Sequence, residues 1–197
     1  MFKSRRLFAL LGCALFPALL ISNAGFADEA PTAAPQDHGV WQKHEYNFRY
    51  MGFTSTYSCD GLADKIKVLL IAAGARKDAK SQSGACASGF GRPDKFASAK
   101  LTFYTLAPDS AAGATGTADG QSVAAAWRTV AFSDRSPREL RVGDCELIEQ
   151  FRDNVLPMFT ARNVENRTSC VPHQESGSTI NLKFESFSAV PKVGAHL

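Results

Sequence analysis

Two pairs of cysteines with nearly equal spacing constrain this chain more than any other feature. Cys59 and Cys86 are 27 residues apart, and Cys145 and Cys170 are 25 apart. Four cysteines allow three pairings. The sequence around each pair favours one of them, because both pairs sit in the same order of local patterns.

In the first half, Tyr46, Phe48 and Tyr50 alternate with Asn47 and Arg49, which is the period of a strand. Cys59 follows, then Leu62, Ile66, Leu69, Leu70 and Ala73 recur at helical spacing. Ser58 or Asp60 can cap the start of that helix, and Gly74 can end it. A weakly patterned strand candidate runs from Arg76 to Cys86. A stronger strand follows, with Ala99, Leu101 and Phe103 on one face and Lys100, Thr102 and Tyr104 on the other.

The second half repeats this order. The run from Ala125 to Phe132 is apolar on both faces towards its end, the mark of a central strand. Asp144 and Cys145 precede Leu147, Ile148, Phe151 and Val155, one helical stripe. Asp144 reads as the N-cap, Glu146 suits the positive end of the helix dipole, and Pro157 ends the helix near Leu156. A strand candidate spans Met158 to Cys170. A last strand sets Ile180, Leu182 and Phe184 against Asn181, Lys183 and Glu185. The match between halves is imperfect: seven residues after the first cysteine, one helix has Ile66 and the other Arg152.

The repeated order predicts bridges Cys59–Cys86 and Cys145–Cys170, each tying a helix start to the end of the following strand. A redox or metal role is the competing reading. It lacks a Cys-x-x-Cys, and only His173 stands near a cysteine. The expected fold is α+β: a two-layer sandwich with two helices on one face of a mainly antiparallel sheet. It is built from two β-α-β-β units and is ferredoxin-like in element order, with one added strand per half.

Disulfides imply an oxidising compartment, and the N-terminus reads as the route there. Lys3, Arg5 and Arg6 precede an uncharged apolar run from Leu7 to Ile21, and Gly25-Phe26-Ala27 offers small residues for cleavage. This is the order of a signal peptide over 1–27. The run is shorter than the roughly 20 residues of a membrane span. Lipid attachment at Cys13 is a poorer fit. The remaining expectations are a flexible arm over 28–42, a domain over 43–190 and a tail over 191–197. The domain divides into half-repeats 43–107 and 121–190, with a linker over 108–120 rich in Ala and Gly.

The whole chain holds 22 Lys and Arg against 19 Asp and Glu. The leader carries three of the basic residues and no acidic ones, so the exported part balances at 19 against 19. That leaves no basic footprint for nucleic acid.

No catalytic or metal-binding set stands out, and no cofactor is expected. The glycines between Cys86 and Asp94 lack the Lys-Ser/Thr of a phosphate loop. His38, His44, His173 and His196 have no ligand spacing. No Gly-x-Ser-x-Gly occurs, and helix capping explains Asp60 and Asp144 first. Asn166-Arg-Thr168 is a glycosylation triplet in a strand-like setting. Trp41, Tyr46, Phe53 and Tyr104 offer aromatic surface, or pack the arm onto the domain.

The functional expectation is an exported, periplasmic or extracellular, non-enzymatic binding or structural domain. Its partner would be a protein, an envelope component or a small ligand met through the sheet face or loops, with no membrane span after cleavage. The alternative is a small hydrolase with a site around Asp60, Asp78 and His173.

Overall fold

The computed structural model describes residues 37–86, 92–109 and 118–191. The expected leader, residues 28–36 of the arm, the glycine-rich loop at 87–91, the middle of the linker (110–117) and residues 192–197 of the tail lie outside the described residues. Six strands and two helices follow in the order β1 (Asp37–Arg49), α1 (Cys59–Ala73), β2 (Lys80–Ser83), β3 (Ser98–Pro108), β4 (Ala118–Ser133), α2 (Cys145–Asn154), β5 (Ala161–Asn166) and β6 (Asn181–Ala189).

All six strands form one sheet in the order β2-β3-β1-β4-β6-β5, and every pairing is antiparallel. The order reads alike outward from the central β1–β4 pair. In each half the third strand lies between the first two, so β1 and β2 run parallel across β3, and β4 and β5 run parallel across β6. Each half is therefore a split β-α-β unit. The central pairing is short, joining Asp37–Gln42 to Ala118–Ala125, and the rest of β1 pairs only with β3.

The helical stripe explains α1. Leu62, Ile66, Leu69, Leu70 and Ala73 are all fully buried, and each such leucine or isoleucine contributes roughly 1.5–3 kcal/mol. Ser58 caps the helix by accepting from the Gly61 N–H, and Gly74 ends it at φ 109°. In α2, Leu147, Ile148 and Phe151 are buried, with Val155 just beyond. Pro157 lies in a 3-10 turn at Leu156–Met158, and the helix stops two residues before that turn. Both stripes meet Phe48, Leu101, Phe103, Phe132, Leu182 and Phe184 from the sheet in one core. Strand alternation leaves Lys100, Thr102, Tyr104, Lys183 and Glu185 on the opposite face, as the sequence pattern predicts. The disulfides are Cys59–Cys86 and Cys145–Cys170, with Cα atoms 6.1 and 5.6 Å apart.

Some boundaries differ from the sequence reading. Residues 37–42, expected in the arm, belong to β1, because β4 pairs with Asp37–Val40 and Gln42 while β3 pairs with the stretch from Gly39 onward. Residues 118–120, expected in the linker, begin β4. β2 is only four residues long, because Arg76 to Ala79 form a turn before it.

Candidate functional site

The acidic residues at the start of α2 have a different task from the one their position implies. Asp144 makes no side-chain cap to α2. Its carboxylate is buried and accepts from the Tyr57 hydroxyl, from Lys65 Nζ at 2.7 and 2.9 Å, and from the Arg141 N–H at 2.7 Å. Glu146 is also buried. Its Oε2 accepts from the N–H groups of Phe53 and Thr54 at 2.9 and 3.0 Å, and from the Tyr50 hydroxyl at 3.3 Å. Burial, and then the neighbouring carboxylates, push both tyrosine hydroxyls well above their ordinary range. Each stays protonated as a donor. The Tyr50–Tyr57 connection of the first half is thereby tied to the helix of the second, and Gln150 adds two bonds to the Met51 backbone. These acids are saturated by donors from their own chain, so the cluster is a structural tie.

The set Asp60, Asp78 and His173 is not assembled. Asp60, in the first turn of α1, accepts from the Ser83 hydroxyl. Asp78, beyond the far end of α1, forks with Arg76 at 2.8 Å, whose hydrogen bond holds its carboxyl below the usual range. His173 meets the Phe53 ring edge-on. Ser58 rather than Asp60 caps α1. His44 stacks on Phe103 and shares a 2.7 Å bond with Thr105 Oγ1, whose hydroxyl donates to the Met158 carbonyl, so His44 Nε2 is the donor. Among the described residues no three His, Cys, Asp or Glu side chains lie close enough to hold a metal ion. The glycosylation triplet lies at the end of β5, where Asn166 Oδ1 accepts from the Thr168 N–H.

The helix-free face of the sheet is chemically divided. Around the β1–β4 junction, Trp41, Leu106, Ala125, Trp127 and Phe187 form a second apolar cluster. Its cations are engaged: Arg76 lies 3.6 Å over the Tyr104 ring and pairs with Asp78, and Arg162 lies 3.9 Å over Trp127 and pairs with Glu185. Trp41 and Tyr104 thus pack into the sheet face.

The other end of this face is open. The β1–β3 register sets Asn47 opposite Lys100 and Arg49 opposite Ser98. It continues past the strands through the Tyr50 N–H to Ala97 O and the Gly52 N–H to Lys95 O, which makes Met51 and Phe96 cross-strand neighbours. Alternation puts Asn47, Arg49 and Met51 on the same face as Phe96, Ser98 and Lys100. A groove of about 530 Å³ lies here, walled by Gly84 and Ala85 beyond β2. Met51 is 56 % and Phe96 58 % exposed, high values for large apolar side chains. Arg49 and Lys100 are exposed and form no ion pair or hydrogen bond among the described residues. Gly84 lies so close to Ser98 that a Cβ there would meet the Ser98 hydroxyl and, at 2.9 Å, its carbonyl oxygen. The sequence reading missed this groove, although the alternation of both segments was visible; the missing information was the β1–β3 register.

The fold and site together define a disulfide-pinned, two-layer α+β domain with an open groove on its sheet face. No family model, curated protein or solved structure matches the chain.

Proposed function

We propose that this protein is an exported, non-enzymatic binding domain of the periplasm or extracellular space, and that the open end of its sheet face is the binding surface. One observation carries the reading: the groove collects exposed apolar and cationic side chains that the fold does not use. Core residues and buried acids have internal partners, as do Arg76 and Arg162 on the same sheet face, whereas Met51, Phe96, Arg49 and Lys100 gather in one groove and face solvent from a paired backbone. Two disulfides fit an oxidising location. The charged leader and apolar run at the N-terminus support export, and the similar order of the two halves supports descent from a doubled β-α-β-β unit. Among the described residues no helix is long and apolar enough to cross a membrane.

The test is site-directed photo-crosslinking in the exporting cell. A crosslinking residue in place of Phe96 is expected to capture a ligand or envelope component. The same residue in place of Lys67, on the solvent face of α1, is expected to capture none. Equal capture at both positions, or none at Phe96, would remove the groove from the account.

A further inference from the structure

We infer that the groove takes a small amphipathic oxyanion, with a phosphate- or carboxylate-type head between Arg49 and Lys100 and an apolar tail over Met51 and Phe96. The inference rests on the binding-domain reading above and names the ligand class for that surface.

Charge complementarity sets the head. Arg49 lies opposite Ser98, so Lys100 is its diagonal neighbour, two residues along the adjacent strand on the same face. Such neighbours are about 7–8 Å apart at the backbone, within reach of long side chains. Two cations at that spacing can share one oxyanion, with the guanidinium supplying directed N–H donors and the ammonium a point charge. Asn47, opposite Lys100, adds an amide. Among the described residues no carboxylate lines the groove. The acid nearest in register, Glu45, pairs with Lys43 at 2.7 Å and attracts Lys100 only at longer range, without an ion pair or hydrogen bond to it. Arg49 and Lys100 are therefore available to a ligand, unlike Arg76 and Arg162.

The tail follows from direction and size. From Lys100 to Phe96 the backbone runs about 13 Å at strand rise, with polar residues at one end and the exposed Met51–Phe96 pair at the other. Methionine and an aromatic ring side by side form an adaptable apolar surface. The groove volume of about 530 Å³ falls in the range of small-molecule sites, roughly 300–1,000 Å³. Two lining cations suit one anionic head and not a polyanion.

The test is an amide NMR titration of the disulfide-intact protein with octyl phosphate below its micelle concentration. Parallel titrations use inorganic phosphate, octanol and octyltrimethylammonium. Saturable shifts are expected in the Asn47–Met51 and Phe96–Lys100 amides with octyl phosphate. Binding of each other probe is expected to be weaker by about tenfold or more. The variants R49Q/K100Q and M51S/F96S change only exposed side chains, and each is expected to weaken octyl phosphate binding by about tenfold. Unchanged affinity in R49Q/K100Q, or inorganic phosphate or octanol binding as tightly, would overturn the inference. Co-sedimentation with anionic phospholipid vesicles without monomer binding would overturn it too, by making the ligand a bilayer. Groove shifts with only the neutral or cationic probe would refute the oxyanion and leave a binding domain. No shift with any probe, together with no crosslink at Phe96, would remove both.

Discussion

Replacing Glu146 with alanine should cost far more than removal of an ordinary first-turn glutamate. In the structure its carboxylate receives the Phe53 and Thr54 N–H groups and the Tyr50 and Thr54 hydroxyls, all from the connection between β1 and α1. At an exposed helix start, a glutamate contributes about 0.3–1 kcal/mol through the dipole. A buried donor left without a partner costs about 1–3 kcal/mol. Four donors set an upper bound of about 12 kcal/mol. Two things reduce it. The Tyr50 and Thr54 hydroxyls keep the Ser55 and Val171 carbonyls at 3.0 and 3.3 Å, and the exposed Phe53 marks a segment that water can reach once the carboxylate is gone. The expected loss is about 3 kcal/mol, or roughly 6–12 °C in Tm for a domain of this size. Urea denaturation of the disulfide-intact protein measures it, with the Lys67→Ala variant as a surface control. A loss below about 1 kcal/mol would mean that Glu146 acts only on its own helix, and the reasoning about a tie between halves would be wrong.

Other consequences are as direct. Cys59→Ala/Cys86→Ala opens a loop of 27 residues, so the chain-entropy model gives a loss of about 3.5 kcal/mol, readable as a drop in denaturation midpoint. Gly74→Ala forces a side chain into φ 109° and against the Ser186 and Ser188 hydroxyls; a loss of about 2 kcal/mol or more is expected in the same assay. Burial holds the His44 ring below its ordinary protonation range. The unfolded chain then binds more protons between the lowered value and the ordinary one near 6.5, so stability falls as pH drops through that window. In the His44→Gln variant the fall in Tm between pH 7 and pH 5 should shrink, and an unchanged slope would assign it to other groups.

The chain discloses its fold wherever neighbouring residues carry the signal. Leu62 to Ala73 and Leu147 to Phe151 state two helices with their buried sides, and alternation in Ala99–Phe103 and Ile180–Phe184 assigns the core face of β3 and β6. The disulfide pairing followed from the parallel order of the two halves. Features that depend on distant partners stayed hidden. The first residues of β1 have little side-chain alternation, and pairing on both edges makes them a strand. Asp144 and Glu146 look like helix-start acids because only local geometry is visible in a sequence. Their donors Tyr57 and Phe53 are 87 and 93 residues away, and no local pattern points across that distance. The groove needed one further fact, the β1–β3 register, which brings Arg49 and Met51 beside Lys100 and Phe96.

A non-reducing peptide map of the protein purified without reductant tests the central claim most directly. Each half is closed by its own bridge, so the expected fragments join Cys59 to Cys86 and Cys145 to Cys170. Fragments joining Cys59 to Cys145 or Cys170, or four free thiols, would contradict the architecture on which the proposed binding face depends.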